Sequence, residues 1–152
     1  MKKTVSLVLV LSMIAVAVIG FGTAANAQTL SNTEKALALI NTFATGDADM
    51  ARSLLAEDYI QHNLAYGTGA EAFVGSVEYL ASAEVKTTVN NIRAFEDGDK
   101  VFLQTVYNFA GAGEQVAFDI FRIDENGKIA EHWDVMETIA DQSTWQNQNG
   151  KF

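Results

Sequence analysis

The chain has no cysteine, no proline and only two histidines, and its 10 basic residues face 19 acidic ones. Each shortage excludes something. Without cysteine there is no disulfide, no thiol nucleophile and no zinc–thiolate site, so a chain of this size must be held by its core. With only His62 and His132, a poly-histidine metal site within one chain is excluded. A mixed histidine–carboxylate site stays open but has no recognisable spacing, and no metal or other cofactor is expected. Without proline, every chain break must rest on glycine, asparagine or aspartate. The scarcity of basic residues argues against nucleic acid and against anionic membrane surfaces as partners.

What is present begins with MKKTVSLVLVLSMIAVAVIGFGTAANAQ. Lys2 and Lys3 precede an apolar run from Val5 to Phe21, and Ala25-Asn26-Ala27 follows as an A-x-A site. This pattern predicts a secretory signal peptide over 1–27, cleaved before Gln28, and hence a periplasmic or secreted protein. The small residues at 25 and 27 favour cleavage over a retained anchor. The remaining 28–152 is expected to be a single domain, enough for one sizeable core. Its formal charge is 8 − 19 = −11 once Lys2 and Lys3 are removed.

Helical signals come first. Ser31-Asn32-Thr33-Glu34 has the spacing of a capping box, and Leu37, Ile40 and Ala44 recur behind it until Gly46. Asp47 can cap a short second helix through Met50, Leu54 and Leu55, and a third is predicted from about Gly69 to Ala81. The pattern then changes. Segments 84–96, 100–109, 114–123 and 128–139 are rich in β-branched and aromatic residues. Asp97-Gly98, Gly111-Ala112-Gly113 and Asn126-Gly127 separate them as hairpin signals. Helices followed by an antiparallel meander make an α+β fold.

Strand parity decides which side chains meet. For the last hairpin, a four-residue loop places Asp119 opposite His132, and a two-residue Asn126-Gly127 turn places it opposite Asp134. Both put Asp119, His132 and Asp134 on one face. For the preceding hairpin, a loop of Ala110 to Gly113 puts Gln104 opposite Asp119, flanked by Phe102 and Val106. The expected face is apolar, with Phe121, Ala130 and Met136, and has a polar row across its middle. Such a row is either a satisfied structural network or the lining of a cavity tuned for proton transfer. Trp133, on the opposite face, is expected to pack or to meet a second copy.

DIFRIDENGKIAEHWDV at 119–135, YIQHN at 59–63 and AFEDGDKVFLQTVY at 94–107 together resemble the SnoaL-like polyketide-cyclase family of the nuclear transport factor 2-like superfamily. The resemblance runs from the first helix to Ile139. It implies a cone of three helices on a curved antiparallel sheet, enclosing a deep pocket, and favours a homodimer formed through the sheet. It also implies Asp119 as pocket acid/base, with His132 and Asp134 beside it. His62 and Tyr59 would stand at the pocket mouth, and Tyr66 could add a hydroxyl there. Substrate contacts are expected from His62, Gln104, Tyr59, Phe102, Phe121 and Met136.

Two functions fit these expectations. One is a cofactor-independent enzyme that enolises, isomerises or condenses a small apolar carbonyl compound, with Asp119 as base and His132, held by Asp134, as donor. The other is a non-catalytic module that holds a small apolar ligand in the same pocket.

Overall fold

The computed structural model describes residues 30–152, so the expected signal segment and its cleavage site lie outside the described residues. Helices α1 (Asn32–Thr45), α2 (Ala48–Leu54) and α3 (Ala70–Ser82) pack on one face of a five-stranded sheet. The strands are β1 (Leu55–Gln61), β2 (Thr88–Asp97), β3 (Lys100–Asn108), β4 (Glu114–Ile123) and β5 (Ile129–Thr138), in the order β1-β5-β4-β3-β2. The sheet is open and mixed: β2 to β5 form an antiparallel meander, and β1 joins parallel to β5. No helix of the described residues is long and apolar enough to cross a membrane.

Local chemistry explains the helix ends. Ser31 caps α1 with its hydroxyl, and the Glu34 carboxylate accepts from the Ser31 backbone, which completes the capping box. Gly46 ends the helix at φ 74°, with its N–H on the Thr42 carbonyl at 2.8 Å. Asp47 accepts from the Met50 N–H and starts α2 at once. The second helix stops one residue earlier than expected, because Leu55 is already extended and opens β1.

Between helices and sheet lies one core, with Leu39, Leu54, Val74, Val77, Phe121 and Ile129 fully buried. Each such side chain contributes about 1.5–3 kcal/mol by leaving water. The three helices cover only part of the concave face, and a cavity remains beneath α1 and α3.

Register departs from expectation at one hairpin. Asn108 pairs with Glu114, so the β3–β4 loop is Phe109–Gly113, one residue longer than the sequence suggested. Phe109 leaves the strand in a short 3-10 turn, stacks on Tyr107 (centroids 5.0 Å) and meets Phe43 edge-on (5.7 Å). This slip reverses the face of every β3 side chain. Leu103, Thr105 and Tyr107 therefore share the concave face with Asp119, whereas Phe102, Gln104 and Val106 point outward.

The last hairpin contains a bulge. Ile123 pairs with Ile129 and Arg122 with Glu131, which leaves Ala130 as the extra residue. Beyond it the pairing is the one a two-residue turn would have produced: Asp119 opposite Asp134 and Phe121 opposite His132.

One substitution tests how tightly α1 is docked on α3. A Cβ added at Gly46 would stand 2.7 Å from the Ala81 Cβ, on a backbone at φ 74°. Gly46→Ala is expected to cost about 1–3 kcal/mol, since left-handed strain and overpacking act together. Urea unfolding measures it, and an unchanged midpoint would refute the close approach.

Candidate functional site

The cavity has a volume of about 390 Å³. Its walls are aromatic and aliphatic: Phe43 from α1, Phe73 and Leu80 from α3, Phe109, Phe121, and Met136 from β5. Asp119, His132, Asp134, Tyr107 and Gln61 supply its polar end, and Tyr66 and Tyr79 lie nearer solvent. Among the described residues, no lysine or arginine lines it.

Sheet register brings the polar end together. Asp119 is 3 % exposed and His132 6 %, on adjacent strands. His132 Nε2 lies 3.3 Å from Asp119 Oδ1, and the imidazole stacks flat on Phe121 (4.4 Å, 7°). The Tyr107 hydroxyl donates to Asp119 Oδ2 at 2.9 Å. Each oxygen of Asp119 thus holds its own partner. Burial, then the Asp119 charge, pushes the Tyr107 phenol well above its ordinary value, so Tyr107 stays a neutral donor.

Asp134 is held differently. It is half-buried, and the Asn63 side-chain amide donates to it at 2.7 and 3.0 Å. Asn63 follows β1, where Gln61 pairs alongside His132. The Gln61 Nε2 lies 3.1 Å from His132 Nδ1, and its Oε1 accepts the Asn63 backbone N–H at 2.9 Å. Asp119, His132 and Asp134 each offer an atom within 4.8 Å of the others, a spacing that could hold a cation. As arranged, both ring nitrogens of His132 already have partners.

Six expected site residues meet the cavity or miss it as follows. Phe121 and Met136 line it. Phe102 and Gln104 do not: the one-residue slip turns both to the outer face, where Gln104 donates to the Lys151 carbonyl at 2.9 Å. Tyr59 is 1 % exposed and packs edge-on against Phe73 within the core, behind Gln61 rather than at the mouth. Burial raises its phenol, with the charges of Asp134 and then Asp119 adding to the effect. His62 also faces outward, because strand alternation puts it opposite in direction to Gln61. It stacks on Trp133 (4.7 Å, 6°) and binds Glu131 at 2.8 Å, and Glu131 also receives Arg122 at 2.7 Å.

Tyr107, Gln61 and Asn63 were not singled out from the sequence. Tyr107 was hidden by the register slip alone; with Asn108 paired to Glu114, its parity matches that of Leu103, which lies opposite Asp119. Gln61 and Asn63 carry no local signal, because their partners come from a strand about seventy residues away.

Among solved structures, a nuclear transport factor 2-like protein of unknown function from Cytophaga hutchinsonii ATCC 33406 is 18 % identical, with a TM-score of 0.61, covering 71 % of this chain and 91 % of its own. An LEH-like epoxide hydrolase of M. tuberculosis is 17 % identical with a TM-score of 0.61 (70 % and 82 % covered). IdmH from Streptomyces antibioticus, a candidate polyketide cyclase, is 20 % identical with a TM-score of 0.57 (71 % and 93 % covered). At these identities the likeness shows the fold. No curated protein matches the chain. The SnoaL-like domain model matches residues 36–132, most of the described fold. The chain belongs to the SnoaL-like domain family, with a fold like that of nuclear transport factor 2-like proteins.

Proposed function

We propose that this protein is an exported, cofactor-independent enzyme that performs acid/base chemistry on a small, uncharged, apolar carbonyl compound. The observation that carries the reading is the cavity itself: aromatic walls closed at one end by two carboxylates, an imidazole and a phenol. The lack of lysine and arginine among the described residues of its lining disfavours an anionic substrate. The cyclase and epoxide-hydrolase relatives of the fold are consistent with chemistry of this kind.

Asp134 is the better-placed base. Each Asp119 oxygen holds its own donor on a nearly fully buried side chain, whereas the half-buried Asp134 shares one donor among the described residues, the Asn63 amide, between its two oxygens. In this reading Asp134 takes the proton from the carbon next to the carbonyl, and the electron pair moves to oxygen as the enolate. Tyr66 is the donor suited to that oxygen. Its phenol lines the cavity on the side nearer solvent. Burial, then the Asp134 charge, raises its pKa and keeps it protonated. Asp119 is the buried anion that positions His132 and Tyr107.

Asp134→Asn is expected to keep the fold and lower turnover by about 10²–10⁴-fold, the usual contribution of a placed base. Mass spectrometry of whatever co-purifies with the native protein supplies the compound to assay. If Asp134→Asn binds that compound within a small factor of wild type, and wild type leaves it unchanged, the protein is a binding module instead.

The mechanism also needs Tyr107 neutral, and this has a pH signature. Folding holds the Tyr59 and Tyr107 protons more tightly than the ordinary phenol value of 10.0. Their contribution to stability is fully present below that value. It is lost as pH rises above it, because the unfolded chain ionises first. Absorbance titration should show these two phenolates only as the fold is lost; their appearance in the folded protein near pH 10 would contradict the burial.

The outer sheet face supports the expected homodimer. Phe95, Phe118 and Val135 are 64, 57 and 72 % exposed there. Phe118→Glu is expected to shift the protein to monomer in sedimentation velocity without changing its circular dichroism.

A further inference from the structure

We propose that Gln61 is a positioning residue that fixes His132 as the Nε2–H tautomer, and thereby makes Asp119 a permanent acceptor rather than a second base. The catalytic consequence rests on the acid/base reading above; the tautomer itself does not.

The direction of the network is set by a group that cannot turn round. The Asn63 backbone N–H can only donate, and it takes Gln61 Oε1 at 2.9 Å. The other end of that amide is therefore the NH₂ group, which can only donate. It faces His132 Nδ1 at 3.1 Å and the Tyr59 oxygen at 3.3 Å, one partner for each hydrogen. His132 Nδ1 must then accept, and a neutral imidazole carries its proton on Nε2. That nitrogen points to Asp119 Oδ1 at 3.3 Å, the correct donor for a carboxylate. The Tyr107 hydroxyl closes the chain on Oδ2. Stacking on Phe121 holds the ring plane in which both contacts are made.

Every donor in this run is matched to an acceptor, from the Asn63 peptide to Asp119. The buried carboxylate is satisfied by neutral donors, with no ion pair required. Two acids that stand opposite each other on adjacent strands are thereby assigned different tasks. Both line the cavity, but Asp119 is held on each oxygen by His132 and Tyr107, and Asp134 only by the Asn63 amide among the described residues.

The test reads the imidazole directly. The chain has only two histidines, so ¹⁵N-labelled His62→Gln protein shows His132 alone in long-range ¹H–¹⁵N spectra. The expected pattern at neutral pH is an unprotonated, pyridine-type Nδ1 and a protonated Nε2. Gln61→Glu keeps an acceptor for the Asn63 N–H but replaces the donor facing Nδ1 with an acceptor. It is expected to move a proton onto Nδ1. Gln61→Met, which offers neither, should leave a mixture of tautomers, so the inference remains testable if the glutamate variant folds poorly. A protonated Nδ1 in the Gln61 protein overturns the proposal, as does an unchanged pattern in the folded Gln61→Met and Gln61→Glu variants. Because no substrate is needed, failure of Asp134→Asn to lose activity would remove the base and leave the tautomer standing.

Discussion

The site depends on a like-charge juxtaposition: Asp119 lies directly opposite Asp134 on neighbouring strands. Unrelieved, such a pair opposes strand pairing. The neighbouring polar side chains relieve it. Tyr107 and His132 bond to one carboxylate, and Asn63 donates to the other. These bonds offset the repulsion with no lysine or arginine among the described residues of the lining. The negative charge of the site therefore remains available, enclosed by aromatic walls that cannot screen it as water would. Gln61 completes the arrangement from the far strand, where it fills the second nitrogen of the imidazole.

The α+β layout was legible because its signals are local. Caps at Ser31, Gly46 and Asp47 and the hairpin breaks at Gly98 and Gly127 each depend on a few adjacent residues. The concave alignment of Asp119, His132 and Asp134 was legible for a related reason: both candidate registers of the last hairpin preserve the same parity. The bulge at Ala130 then restored the register of the tighter turn. The β3–β4 hairpin offered no such protection. Its three residues with positive φ, Ala110, Gly111 and Gly113, allow several loop lengths. The choice was made by Phe109 packing on Tyr107 and Phe43, a tertiary contact invisible to strand pattern. That single contact moved Gln104 out of the cavity and Tyr107 in. Strand β1 was missed for a different reason. It is short, it runs directly out of α2, and its partner strand among the described residues lies at the other end of the chain.

The two faces of the sheet have diverged in chemistry. The concave face combines one network of buried polar groups with apolar walls. On the convex face, Phe95, Phe102 and Phe118 surround the chain terminus, with Phe152 among them and Lys151 bonded to Glu137. His62 belongs to this outer surface, where Glu131 lies between it and Arg122. The histidine's bond, followed by the arginine's, holds the Glu131 carboxyl below its usual range. The two histidines of the chain thus sit on opposite sides of one sheet, one stacked on Trp133 and the other on Phe121.

The parallel seam between β1 and β5 also sets the order in which the molecule can be completed. Among the described residues β1 neighbours β5 and no other strand, and that pairing closes a loop of about seventy residues. During synthesis the helices and β1 emerge long before β5 exists, and β1 must wait unpaired at an edge. Gln61 and Asn63 stand on the waiting side of that seam, His132 and Asp134 on the arriving side. The polar cluster is therefore absent from every partly folded form that lacks the last strand. Its assembly coincides with closure of the fold, so a chain that carries the finished site has also passed its slowest topological step.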